Sequence, residues 1–323
     1  MKWEDKNVFI TGANGFVASW LCKSVLEKGA NVFALIKEEI NGSVFNSLSN
    51  KNLKRVDGNV EDFDLMKKSI KENEIDYCLH LAAQTIVGKA NKGPLDTIKT
   101  NVMGTTNVLE ACRLNEIEGF VLASSDKAYG PQETLPYTED SPLKGIFPYD
   151  ASKSSADIIA QAYYHTYDMP IAITRSANIY GGGDMNFSRI VPDTIRSLIK
   201  GQAPIIRSDG TPVRQYIYVD DIVNGYLLVA ENIEKVKGEP FNFGSSDPIT
   251  VLDFVNLVIS IYGSDVEPAI EAKSGKGEIH SQYLSSEKAR KSLNWAPKVN
   301  LDTGIKKTIE WYKNHFGRLY DEE

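Results

Sequence analysis

Histidine, cysteine and methionine are scarce in this chain, with four, three and five among 323 residues. Cys22, Cys78 and Cys112 stand far apart, with no metal-ligand spacing and no disulfide framework, so a reducing compartment is expected. His80, His165, His280 and His315 are also unclustered, and no metal site is expected. No apolar run approaches the roughly 20 residues that cross a bilayer. The amino terminus, Met1-Lys2-Trp3-Glu4-Asp5-Lys6, is too polar for a signal peptide. A cytoplasmic protein with no membrane partner is the expectation. Positive charge is in deficit too: 36 Lys and Arg against 43 Asp and Glu leave −7, which argues against a nucleic-acid partner. Phosphate-bearing ligands must then be held by local devices rather than by overall charge. Internal repeats, low-complexity tracts and long linkers are missing as well. The length allows a sizeable core, in one large domain or two closely joined ones.

What the chain does have begins at Asn7-Val8-Phe9-Ile10-Thr11, a short β-branched and apolar run of the kind buried in parallel sheets. It leads into Gly12-Ala13-Asn14-Gly15-Phe16-Val17-Ala18 and then into the helical pattern Ser19 to Leu26. Strand, glycine turn and helix, in that order, seat a dinucleotide pyrophosphate on a helix amino terminus. Gly12 permits the tight turn, Gly15 admits the backbone to the phosphates, and Ala18 takes the third small position. The spacing is Gly-x-x-Gly-x-x-Ala rather than Gly-x-Gly-x-x-Gly. The second strand, Asn31 to Ile36, ends in Lys37-Glu38-Glu39. An acid there suits the ribose of NAD and a cation the extra phosphate of NADP, so both cofactors stay open.

Strands and helices alternate through the first half. Tyr77 to Ala83, Gly119 to Ser125 and Pro170 to Arg175 read as strands, and Asn101 to Cys112 has helical apolar spacing. This alternation predicts an α/β fold, a doubly wound parallel sheet with helices on both faces. Ligands of such sheets lie beyond the carboxyl ends of the strands, where Gly12, Ala82-Ala83, Ser124-Ser125 and Arg175 to Asn178 all fall. Residues 1–176 with 208–244 are expected to form the nucleotide-binding domain. Residues 177–207 with 245–323 are expected to form a smaller carboxyl-terminal substrate-binding lobe.

Two further stretches carry chemistry. Ser124-Ser125-Asp126-Lys127-Ala128-Tyr129-Gly130 is followed by Tyr149-Asp150-Ala151-Ser152-Lys153. Residues four apart share one face of a helix, and a lysine ammonium near Tyr149 is expected to lower the phenol pKa. Such a pair can exchange a proton with a substrate hydroxyl while hydride moves to a cofactor. His80 reads as a satisfied core residue, and Asp220-Asp221 as a helix start.

Taken together, these residues resemble the extended short-chain dehydrogenases/reductases that modify nucleotide sugars, across nearly the whole chain. The likeness runs through Thr11 to Val17, His80-Leu81-Ala82-Ala83-Gln84, Asn101 with Gly104-Thr105, and Tyr149 with Lys153. It continues in Arg175 to Gly181, Arg214 to Asp221, Phe241 to Gly244 and Glu310-Trp311-Tyr312. It implies a Rossmann-type fold, a homodimer and a nucleotide-sugar substrate. Cofactor contacts are implied for Gly12, Asn14, Gly15, Phe16, Val17, Lys37, Asn59, Val60, Leu81, Ala82, Ala83, Asn101, Tyr149 and Lys153. Gln84, Asn178, Arg189 and Arg214 are implied to bind the substrate, the two arginines through its diphosphate.

Within that family, Ser125-Asp126-Lys127 is similar to the Thr-Asp-Lys triplet of CDP-glucose 4,6-dehydratases, where dTDP-glucose enzymes carry Thr-Asp-Glu. The resemblance implies that Tyr149 takes the C4 hydroxyl proton, Ser125 bonds the C4 oxygen, and Lys153 also holds the nicotinamide ribose. Asp126 would protonate the departing C6 hydroxyl, a role that calls for a protonated carboxyl, which burial favours. Lys127 is a base of depressed pKa, a cation stabilising the enolate while another group takes the proton, or a salt-bridged lysine just outside the pocket. A 4-epimerase, which has no need of Asp126, and a non-catalytic NAD(P)-binding regulator are the alternatives.

Overall fold

A computed structural model describes residues 3–245, 247–273 and 279–320, and of 316–320 the backbone only. Residues 1–2, 246, 274–278 and 321–323 belong to the ranges expected for the two lobes and lie outside the described residues. Among the described residues the first strands are β1 (Asn7–Thr11), β2 (Asn31–Ile36), β3 (Leu53–Asp57), β4 (Tyr77–His80), β5 (Gly119–Ala123) and β6 (Ile171–Ser176). They are followed by β7 (Asn178–Tyr180), β8 (Ile205–Ile206), β9 (Val213–Arg214), β10 (Tyr216–Tyr218) and β11 (Pro240–Phe243). The last are β12 (Ile249–Thr250), β13 (Ala269–Ile270) and β14 (Ser281–Gln282). Seven of them form one sheet in the order β11-β6-β5-β4-β1-β2-β3, parallel throughout.

Side chains along β1 and β2 alternate between two cores, as the period of a strand demands. Val8, Ile10, Val32, Ala34 and Ile36 pack with Leu21, Cys22 and Val25 of the helix Phe16–Glu27. Phe9, Phe33 and Leu35 face the other way, onto Met66, Ile70, Val108 and Leu109. Both faces are therefore covered, and the sheet is doubly wound as expected. The chain leaves β1 toward β2 and β3, then crosses back to add β4 on the other side of β1. That reversal opens a crevice at the carboxyl ends of β1 and β4.

Two expected strands end early. Leu81 N and Ala82 N donate to Thr11 Oγ1 at 3.1 and 3.0 Å instead of continuing the ladder, so β4 stops at His80. β5 stops at Ala123, and Ser125 caps the 3₁₀ turn Asp126–Tyr129 that follows, its Oγ accepting from Lys127 N at 3.2 Å. The helix expected from Asn101 begins as a π-turn, Lys99–Gly104, before the α-helix Thr105–Leu114. Such turns favour functional positions, and here the turn carries the Asn101 side chain to Gln84 and Ser152.

Beyond β6 the small sheets assemble. β7 pairs with β10, β9 lies between β12 and β14, and β8 pairs with β13. Residues 213–218 thus pair with segments from 178–180, 249–250 and 281–282, while β11 returns to the main sheet.

Candidate active site

The glycine turn at the end of β1 leaves room for a pyrophosphate. Gly12 has φ +64°, and a Cβ on it would meet Ala82 Cα at 2.9 Å; one on Gly15 would lie 3.0 Å from Gly12 O. Gly15 caps the helix Phe16–Glu27 without any side-chain hydrogen bond, and its first turn carries no acid. The amino-terminal N–H groups and their share of the helix dipole therefore favour an anion. Asn14 ties this turn to the end of β2, its Nδ2 donating to Glu38 O at 2.7 Å. Lys37 is exposed there, and its charge acts on Glu61. Asn59 Oδ1 accepts from Glu61 N, and the buried Val60 packs where a Cβ on Gly104 would stand. Leu81 and Ala82 line the same edge through Thr11. Ser124 Oγ, buried at the end of β5, has no hydrogen-bond partner among the described residues. These are features of a nicotinamide dinucleotide cleft, and the residues present fit that group.

His80 bridges β1 to the helix Thr105–Leu114. Its Nδ1 lies 2.8 Å from Thr11 Oγ1 and its Nε2 3.0 Å from Thr105 Oγ1. Burial holds its pKa down to about 3. It is a satisfied core histidine, as expected.

Tyr149 and Lys153 occupy successive turns of the helix Pro148–Tyr167, and both are buried. The Lys153 ammonium donates to Ala123 O at 2.9 Å, at the end of β5. Burial pulls the pKa of Lys153 down to about 8. The expected depression of the Tyr149 phenol is corrected here: burial pushes it up to about 12. Desolvation of the phenolate outweighs every neighbouring charge, and the cation that acts most strongly on it is Arg189. Ser125 also faces this phenol, opposing the rise by hydrogen bonding.

Asp126 and Lys127 face the same space. Asp126 is 3% exposed, accepts from Ser125 Oγ at 3.1 Å and stands with its Oδ2 3.6 Å from Lys127 Nζ. Burial, with Arg214, holds Lys127 below the usual lysine range against the pull of Asp126 and Asp150. Asp150, in the first turn of the Tyr149 helix, is buried and raised to about 6, chiefly by desolvation. Of the substrate residues expected from the sequence, Arg189 acts on the Tyr149 phenol and Arg214 on Lys127. Arg189 pairs with Asp184 at 3.0 Å and donates to Thr85 Oγ1 at 3.2 Å. Arg214 donates to Val213 O and His280 O. Asn178 Nδ2 bonds Gln215 O. Gln84 spends its side-chain amide on Thr97 and Ile86, and its backbone N–H on Asn101.

The family model described as NAD dependent epimerase/dehydratase matches residues 8–244. The chain belongs to that family. A CDP-glucose 4,6-dehydratase of Salmonella typhimurium is 32% identical over 96% of this chain and 91% of its own length. A human dTDP-D-glucose 4,6-dehydratase has the same identity and coverage. Among solved structures, a dTDP-glucose 4,6-dehydratase of Streptomyces venezuelae with NAD bound superposes with a TM-score of 0.88 at 26% identity, over 96% of this chain and 98% of that one. A UDP-glucose 4-epimerase of Thermotoga maritima with UDP-glucose reaches 0.88 at 29% identity, over 96% and 99%. The sheet order and covered faces described above are the fold these family members share.

Three residues near the site, Asp150, Asp184 and Gln282, carry no functional motif in the sequence. Asp150 stood inside the Tyr149 pattern without a role. Asp184 holds Arg189, and Gln282 reaches Lys127 from 155 positions away. Asp150 had a local signal, an acid inside an amphipathic helix start. Gln282 had none, since only the folded lobe brings it near.

Proposed function

We propose that this protein is a nucleotide-sugar 4,6-dehydratase that works with NAD. The observation that carries the reading is the Asp126–Lys127 pair, set 3.6 Å apart beside the Tyr149 and Ser125 hydroxyls. Bound nicotinamide supplies the transient oxidation at C4 and the reduction that returns to C6. Tyr149 takes the C4 hydroxyl proton as the phenolate, a form that the Lys153 ammonium and the positive charge of bound nicotinamide favour against burial, and Ser125 holds the C4 oxygen. Lys153 steadies the nicotinamide ribose. The 4-ketone acidifies C5–H, Lys127 removes that proton, and Asp126 gives one to the departing C6 oxygen, so that water leaves. A lysine held low by burial suits the task of a base.

Arg189 and Arg214 take the diphosphate, with Gln84 and Asn178 beside the sugar. In this reading residues 1–176 with 208–244 hold the cofactor and 177–207 with 245–323 form the nucleotide-sugar lobe. The helix amino terminus at Gly15 and the turn of Gly12 to Val17 seat the pyrophosphate. Lys37, Asn59, Val60, Leu81, Ala82, Ala83 and Asn101 line the rest of the cofactor cleft. The reading includes the cytoplasm as its compartment.

A second reading, a 4-epimerase, is favoured by the likeness to the Thermotoga maritima enzyme. It leaves Asp126 without a task. The two separate by product: incubation with CDP-, GDP-, UDP- and dTDP-glucose gives loss of one water for a dehydratase and an isomer for an epimerase. An isomer alone, at unchanged mass, overturns the dehydratase reading.

We propose a homodimer as well. Leu95, Ile98, Met103 and Ile158 are exposed on segments that pack side by side, 94–98, 99–104 and 148–167. Exposed apolar residues gathered on neighbouring segments suit an interaction surface. Sedimentation at micromolar concentration is expected to give twice the chain mass, and a monomer there removes the proposal.

A further inference from the structure

Gln282 lies in the short strand β14, far from the catalytic segments in sequence, and its side chain is fully buried. Burying a primary amide is costly unless both ends are satisfied. Here both are, and both partners belong to the catalytic turn. Oε1 accepts from the Lys127 ammonium, and Nε2 donates to the Asp126 backbone carbonyl at 3.0 Å. β14 runs parallel to β9, with Gln282 opposite Arg214. One ladder therefore carries both the cation proposed for the diphosphate and the amide that reaches Lys127.

The chemistry of the amide matters. A carboxylate at the same place would hold the lysine too, but its charge would favour the ammonium and oppose its service as a base. A neutral carbonyl accepts the N–H and adds no net charge. It also competes with Asp126, whose Oδ2 stands 3.6 Å from the same nitrogen.

We propose that Gln282 is a positioning residue for the elimination step: its side-chain amide fixes Lys127 Nζ in the site without adding charge to it. The proposal rests on the reading of Lys127 as the group that takes the C5 proton. It assigns Gln282 no part in C4 oxidation, which belongs to Tyr149 and Lys153.

The test uses Gln282→Glu, Gln282→Leu and Lys127→Met in the full chain, with CDP-, UDP- and dTDP-glucose in parallel. Rapid mixing follows reduced nicotinamide by absorbance, which reports oxidation, and mass spectrometry follows loss of water, which reports elimination. Gln282→Glu is expected to leave oxidation intact and to move the pH dependence of elimination to higher pH by about one unit, since a carboxylate raises its lysine partner. Gln282→Leu is expected to slow elimination by up to roughly a hundredfold with KM little changed, as a displaced catalytic group does. A Gln282→Glu profile that coincides with the parent overturns the proposal, whether or not the Leu variant folds. Lys127→Met separates the two readings. If it eliminates water at the parent rate, the base assignment fails and the Gln282 proposal fails with it. If it slows elimination while both Gln282 variants match the parent, only the Gln282 proposal is lost.

Discussion

Asp126 and Lys127 are sequence neighbours whose charged groups meet, with Asp126 Oδ2 3.6 Å from Lys127 Nζ. Adjacent residues on a regular helix diverge. Here the 3₁₀ turn Asp126–Tyr129 closes on itself beneath the Ser125 cap, and both side chains face the end of the Tyr149 helix. An acid and an amine thereby face one space beside that helix.

The elimination is expected to fail selectively when this pair is altered. Asp126→Asn keeps size and hydrogen bonding but has no proton to give, so water loss should slow by roughly a hundredfold or more while oxidation survives. Reduced nicotinamide should then accumulate, visible in its near-ultraviolet absorbance, with an unreleased 4-keto hexose. Conversion at the parent rate would remove the main support for a dehydratase.

Tyr149→Phe strikes the earlier step. The variant should fold and bind cofactor, yet lose turnover by at least roughly a hundredfold, because no other hydroxyl takes the C4 proton. The check is a single-turnover trace at the cofactor absorbance, and a trace like the parent's would take Tyr149 out of the mechanism.

Gly15→Val addresses the cofactor cleft alone. Its Cβ would stand 3.0 Å from Gly12 O, and the branches would fill the space kept for phosphates. The variant is expected to fold, by circular dichroism, and to purify without bound nucleotide. Copurification of NAD at parental occupancy would mean that the pyrophosphate lies elsewhere.

Asp150 links the site to stability. Its carboxyl is raised from 3.8 to about 6 in the fold, so the folded state holds that proton more tightly than the unfolded chain. The contribution is present at low pH and is lost as pH rises between those two values, by up to about 3 kcal/mol. Asp150→Asn should therefore be more stable than the parent at pH 7, with the difference shrinking toward pH 4. Equal melting temperatures at both pH values would show that Asp150 carries no such cost.

Much of this molecule could be read along the chain. The apolar run Asn7–Thr11, the turn at Gly12 and Gly15 and the helix behind it are local features, set by residues within a few positions of one another. The same holds for the pairing of Tyr149 with Lys153 on one helical face, and for the alternation that implies a doubly wound sheet. Other features depended on tertiary structure. The end of β4 was settled by Thr11, whose hydroxyl draws backbone N–H groups away from the ladder, and β5 gives way to the 3₁₀ turn that Ser125 caps. The phenol of Tyr149 moved opposite to expectation because burial, which no motif records, outweighs the charges that act on it, and the strongest of these is Arg189, far along the chain, rather than the Lys153 of the sequence motif. The contact of Gln282 with Lys127 was decided by the pairing of β14 with β9, which brings together residues 155 positions apart. Periodicity and turn chemistry are written in neighbouring residues. Desolvation and long-range hydrogen bonds arise only when distant segments exclude water from one another.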